Sequence, residues 1–166
     1  KIPTSVGAES SQLLLPASRP APTRPMPSAR IGCHQYAANA PCEDRLALQQ
    51  FPCGIMCACV FDGHGGWQVA EYLRGRLPSL LASRLTHKAG NIDSRVIESA
   101  CKEAFMVADQ GLEEHAREAQ KLGFSQPVKT GACGLALLIT QTSLVVANAG
   151  DCKAVLYRDQ CPALAL

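Results

Sequence analysis

A carboxylate, a glycine and a histidine follow one another at Asp62-Gly63-His64, at the end of the apolar run 55–61, and Gly65 and Gly66 come next. Three chemistries compete for such a stretch. Glycines ahead of a helix can present backbone N–H groups to a phosphate, yet the Lys-Ser/Thr ending of a P-loop and the spacing of a dinucleotide fingerprint are both absent. An Asp-Gly pair can be a structural turn, with Asp62 capping the helix that follows. Or the stretch can hold a hard divalent cation, which takes carboxylate and backbone carbonyl oxygens. Asp62 and the Gly63 carbonyl offer both in consecutive residues.

The metal reading needs further acids. Glu43 and Asp44 precede the strand expected to pair with the one ending at Asp62, so hairpin geometry brings them near it. Asp151 lies at a turn between two later strands. Taken singly, each acid is more often a solvated surface residue. Three acidic sites at strand ends shift that weight, because strand ends on one edge of a sheet can converge. A bound cation polarises water and shields phosphoryl charge. His64 could hand a proton to a leaving oxygen, or it could simply make a hydrogen bond at a helix cap.

The elements that must position these residues can be read from periodicity. The segment 45–50 alternates and predicts a strand, and 55–61 is continuously apolar and predicts a buried strand broken by the glycines. Val69, Leu73 and Leu77, continued by Leu80, Leu81 and Leu85, recur with helical spacing, with Pro78 expected to kink or restart that helix. Asp93 is a candidate N-cap for a second helix. That helix carries the stripe Ile97, Cys101, Ala104, Phe105, Ala108 and Leu112 and ends near Leu122, where Gly123 stops it. Strands are expected over 134–140, 144–149 and 153–157, turning at Gln141–Thr142 and Gly150–Asp151. Strands, then two long helices, then strands predict an α+β fold with antiparallel sheets. No internal repeat is visible.

Composition narrows the function classes. The 166 residues are 47% apolar, which is globular, and the net charge of +2 argues against nucleic acid or an anionic membrane as the main partner. No apolar run reaches the ~20 residues of a membrane span. The nine cysteines are read mostly as buried free thiols, hence an intracellular, reducing compartment. A zinc site from Cys53, Cys57 and Cys59 is the weaker alternative, because no second pair follows. Residues 1–30 are rich in Pro, Ser and Arg, with Glu9 the only acid. They are expected to form an extended arm or linker, in preference to the remnant of an organelle-targeting segment. The domain is expected over 31–166. Because the chain starts at Lys1 and not at Met, it is expected to be processed or truncated.

Three stretches together carry a resemblance. Glu43–Asp44, "VFDGHGG" at 60–66 and "TGACGLAL…LVVANAGDCKAVL" at 130–156 resemble the metal-dependent protein serine/threonine phosphatases of type 2C, in order and in rough spacing. The likeness covers about residues 31 to 160. "AANAPCEDR" and "VANAGDCKAVL" are most similar to the mitochondrial pyruvate dehydrogenase phosphatase branch, which implies the mitochondrial matrix. The resemblance implies a β-sandwich flanked by helices, two Mn²⁺ or Mg²⁺ ions at one end, and a phosphoprotein substrate. It implies that Asp62 bridges both ions and that Glu43 and the Gly63 carbonyl serve one of them. Asp44 would orient waters, His64 would be the general acid, and Asp151 would stand behind the site or help bind a further ion.

The departures from the family pattern set the alternatives. Asn39 stands where many members place a phosphate-gripping arginine, as the mitochondrial branch also tends to have it. Cys133 stands in place of a threonine. The family's second half supplies two more aspartates, whereas only Asp159 follows Asp151 here. The metal cluster is therefore expected to be incomplete, and Leu138, Val146 and Val155 are expected to lack packing partners. Two function classes follow: the first part of a phosphatase, or an inactive phosphatase-like structural subunit whose open sheet edge and Pro-rich arm are covered by a protein partner. A phosphate-reading module without turnover is a third.

Overall fold

The structure, a computed structural model, describes residues 30–85, 92–125 and 129–166. The expected arm lies outside the described residues except for Arg30. The elements are β1 (Arg45–Gln50), β2 (Met56–His64), α1 (Gln68–Leu85), α2 (Ser94–Lys121), β3 (Gly131–Ile139), β4 (Leu144–Ala149), β5 (Val155–Leu156) and β6 (Leu164–Ala165). β1 to β4 form one antiparallel sheet in chain order, and β5 pairs with β6 in a separate ribbon.

Strand side chains alternate between faces, and here the alternation splits the sheet in two. Cys57, Cys59 and Phe61 of β2, Ala136 and Leu138 of β3 and Val145 of β4 point to one face and are buried. Both helices cover that face. α1 brings Ala70, Leu73, Leu77, Leu81 and Leu85, and α2 brings Ile97, Ala100, Cys101, Ala104 and Ala108. The alanines on α2 let it lie close, because a helix stripe without bulk brings its backbone nearer to its neighbours.

α2 begins where Asp93 accepts a hydrogen bond from the Arg95 N–H at 3.1 Å, the expected N-cap. It ends as the Gly123 N–H reaches the Gln120 carbonyl at 3.0 Å and the Phe124 N–H reaches that of Ala119 at 2.9 Å, a Schellman closure.

Five expectations are corrected. β2 does not break at the glycines: Gly63 pairs with Ala132 and His64 with Gly131, so each pair includes a glycine and the ladder continues. Asp62 therefore lies inside a strand and does not cap α1. Pro78 sits inside α1, so the helix runs through it and does not restart there, since its buried neighbours Leu77 and Leu81 anchor the helix on both sides of the missing hydrogen bond. The third expected strand shrinks to Val155–Leu156 and pairs with β6 instead of β4. The cause is Asn148, whose side-chain amide donates to the carbonyls of Gly150 (3.2 Å) and Cys152 (2.8 Å) and folds the chain out of the ladder. Leu138 does not lack partners, because it lies fully buried under the helices, whereas Val146 is half-buried and Val155 exposed.

The cysteines are the fifth. All nine are free, but only Cys57, Cys59 and Cys101 are buried. The Cys57 and Cys59 sulfurs lie 3.6 Å apart in the core, hydrogen-bonded to each other. That bond and burial push the Cys59 thiol far above its ordinary range, and burial holds Cys101 up at about 11. These are packed thiols, and Cys53, Cys57 and Cys59 form no metal-holding group among the described residues.

The opposite face is apolar too. By register, Leu46, Val60 and Leu135 share a row across it, as do Leu48, Ala58, Leu137 and Val146, and then Met56, Ile139 and Leu144. Val60 is 51% exposed, Leu48 44% and Leu144 41%. The described residues thus form one sheet and one helix layer of the expected sandwich.

Candidate metal and phosphate site

The start of β1, the end of β2, the start of β3 and the end of β4 all lie at one edge of the sheet, as antiparallel order requires. Arg45 pairs with Phe61, so one more step sets Asp44 opposite Asp62 and Glu43 opposite Gly63. Packing at Gly63 agrees. A Cβ there would run into the Glu43 carbonyl oxygen and lie 3.2 Å from the Glu43 Cβ. Gly63 is thus required by the close approach of residue 43. It is buried, while Asp62 and His64 on either side are exposed.

Glu43 and Asp44 are held by a residue that the sequence reading passed over. The Arg45 guanidinium donates to the carbonyls of Cys42 (2.9 Å) and Asp44 (2.7 Å). It also donates to Glu71 of α1 at 2.6 Å and lies 5.5 Å from the Trp67 ring centroid. The Gln35 amide reaches the Asp44 carbonyl at 2.9 Å. The acid-bearing segment is therefore tied to the first turn of α1 through one planar, multi-donor cation. Arg74 also pairs with Glu71, and the two guanidiniums, Arg74 foremost and then Arg45, hold the Glu71 carboxyl below its ordinary range. The local signal was the arginine directly after the acidic pair. Its partner lies 26 residues away, and periodicity says nothing about that.

A cavity of about 370 Å³ opens at this edge, with Asp44, Asp62, His34, Arg45, Cys152 and Lys153 among its lining. Two of the expected acids thus face one space, together with two cations that sequence reasoning did not single out. Asp151 sits at the same edge, exposed, in the turn after β4. His64 packs against the Gly131 backbone, where any Cβ would strike its ring. Gly65, at φ +71, lies against the Lys129 carbonyl with the same lack of room. His64 also borders a separate cavity of about 710 Å³ between the two helices and the start of β3, with Tyr72, Asp109 and His115 in its wall.

The donors fit a hard cation in kind: carboxylates at Asp62, Glu43 and Asp44, and a backbone carbonyl at Gly63. The cradle that Gly63 keeps open also fits. The count does not close, because among the described residues no three His, Cys, Asp or Glu side chains are grouped to hold a metal ion. No helix of the described residues is long and apolar enough to cross a membrane.

Comparison with known proteins shows the family. Residues 39–165 match the family described as protein phosphatase 2C. The chain is 36% identical over 121 residues to a probable protein phosphatase 2C of Oryza sativa subsp. japonica, covering 73% of this chain and 30% of that protein. It is 37% identical over 97 residues to one from Arabidopsis thaliana, covering 58% and 22%. The fold is similar to a bacterial serine phosphatase, with TM-score 0.58 at 20% identity over 74% of this chain and 52% of that one. A sex-determining protein of C. elegans follows at TM-score 0.51 and 20% identity, over 68% and 28%. The chain thus spans less than a third of the length of these plant relatives.

Proposed function

The chain belongs to the protein phosphatase 2C family, and we propose that it supplies one side of the catalytic centre of a metal-dependent serine/threonine phosphatase acting on phosphoproteins. The observation that carries this is the packing of Glu43 against Gly63, next to Asp62, with Asp44 and Asp62 lining one cavity. Asp62, Glu43 and the Gly63 carbonyl offer oxygens to Mn²⁺ or Mg²⁺, and Asp44 can accept hydrogen bonds from bound water. When bound, the two ions supply an activated water and shield phosphoryl charge. His64, exposed at the end of β2, holds a proton for the leaving serine or threonine oxygen. Lys153 lines the same cavity and draws phosphate to it. Asp151 stands at the same edge, in the turn after β4, available to a weaker ion. Arg45 and Gln35 keep the acidic pair in place.

The direct test is hydrolysis of p-nitrophenyl phosphate and of a phosphoserine peptide with Mn²⁺, beside Asp62→Asn and His64→Asn. Turnover that falls to background in Asp62→Asn, and by about 10²-fold or more in His64→Asn, supports the reading. Equal turnover in the Asp62 variant refutes it.

A second reading has its own observation. The open apolar sheet face and the unclosed ligand set suit a phosphatase-like structural subunit covered by a protein partner. A folded chain that stays inactive with Mn²⁺ favours this reading. We also propose the mitochondrial pyruvate dehydrogenase phosphatase branch, hence the matrix, on the strength of Asn39 and the motif "VANAGDCKAVL". Imaging of the tagged native protein outside mitochondria would reject that placement.

A further inference from the structure

Two half-buried thiols flank Asp62, and the fold does not use them for packing the core. Cys133 is the cross-strand partner of Asp62, so the two side chains share the open face. Gly150 stands directly against Cys133: a Cβ on it would lie 2.6 Å from the Cys133 Cβ and 3.1 Å from its Cα. Cys152 is two residues further on, inside a turn that the Asn148 amide pins at both Gly150 and Cys152. The Cys152 thiol comes back onto the Asp62 backbone and lines the cavity that Asp62 and Leu135 line. The turn after β4 therefore carries one sulfur over the strand that carries the other.

We propose that Cys133 and Cys152 form a reversible disulfide that clamps the turn after β4 onto β3 beside Asp62. Bridged cysteines have Cα atoms roughly 4.4–6.8 Å apart; Gly150, two residues before Cys152, lies directly against Cys133, and Cys152 lines the cavity beside Asp62, the cross-strand partner of Cys133. The competing pair, Cys57 and Cys59, is nearer in sulfur distance but only 1% and 2% exposed. Exchange needs an attacking sulfur that the co-reactant can reach, so the core pair stays reduced.

The co-reactant is a small disulfide such as oxidised glutathione. One cysteine sulfur attacks it, forming a mixed disulfide and releasing one glutathione. The second cysteine sulfur attacks the protein sulfur of that mixed disulfide and releases the other glutathione. Both thiol protons and two electrons leave with the two glutathione molecules, and a dithiol reverses the exchange. The bond draws Cys152 away from the Asp62 backbone and moves neighbouring Asp151. Resting on the reading of Asp62 as a cation ligand, this weakens Mn²⁺ binding by roughly tenfold, as loss of groups behind metal ligands does.

The experiment is incubation of the folded chain in oxidised and reduced glutathione, alkylation, and mass spectrometry. Trypsin leaves 130–153 as one peptide holding both thiols. Its expected mass is that of the reduced peptide less two hydrogens, with no alkyl group taken up. A further cut near Leu137 should leave the halves joined until a dithiol is added, and the bond should be absent from both Cys133→Ser and Cys152→Ser. Separate glutathione or alkyl adducts on the two residues, or bonds to other cysteines, would overturn the proposal. A bridged chain with unchanged Mn²⁺ affinity overturns the coupling to the site. A chain that binds no Mn²⁺ in either state overturns the phosphatase reading and leaves the disulfide standing.

Discussion

Phe61 and Val60 are adjacent in β2, yet one is fully buried and the other 51% exposed. They stand for the two faces of the sheet. The first face is closed by α1 and α2, which lay leucines, alanines and an isoleucine over Cys57, Cys59, Phe61 and Leu138. The second face is as apolar in composition, and at the acidic edge Tyr36 and Cys152 line a cavity with its residues Leu46, Val60 and Leu135. Packing is thus confined to one face, and the candidate site opens on the other. The closed face holds the strands in register, and the register carries Asp44 and Asp62 into one cavity on the other side.

The largest effect should come from opening the closed face. Phe61→Ala is expected to cost about 3–5 kcal/mol, read by urea unfolding; a loss under about 1 kcal/mol would mean that the helix layer does not support β2. Gly63→Ala comes next, at roughly 1–3 kcal/mol, because its methyl group must displace the Glu43 backbone. Mn²⁺ binding should fall with it, while a fully binding variant would separate Glu43 from the site.

Glu71→Gln should cost about 1 kcal/mol or less, the usual scale for partly exposed ion pairs. Its pH dependence has a definite sign. Glu71 has a depressed carboxyl in the folded chain, so its contribution is fully present above the ordinary carboxylate value of about 4.3 and is lost as pH falls through the lower folded value. Thermal unfolding curves of the wild-type and variant chains should converge in acid and separate at neutral pH. The smallest effect belongs to the open face: Val60→Thr should change stability by no more than about 0.5 kcal/mol. A larger loss would mean that something covers Val60.

Much of this arrangement was legible in the sequence. β1 and β4 follow from alternation bounded by turn residues, and α2 from Asp93 and a regular apolar stripe. The meeting of Asp44 with Asp62 follows from a hairpin register. The rest depended on contacts that no local pattern encodes. Glycines read as strand breakers, but Gly63 and His64 continue the ladder: Gly63 faces the small Ala132, and Gly131 leaves room for the His64 ring. The strand after Asp151 was misplaced because one amide, Asn148, redirects the chain. Arg45 looked like part of an alternating strand, and only the folded chain brings it to Glu71 and Trp67. The cysteines misled because apolar neighbours in sequence do not make a buried site.

The acidic edge is proposed to offer ligands to a divalent cation. Titration of the folded chain with Mn²⁺, followed by electron paramagnetic resonance of the free ion, tests it beside Asp62→Asn. Saturable uptake by the chain, and loss of that uptake in the variant, are the expected result. Uptake that is the same in both proteins, or absent from both, would contradict it.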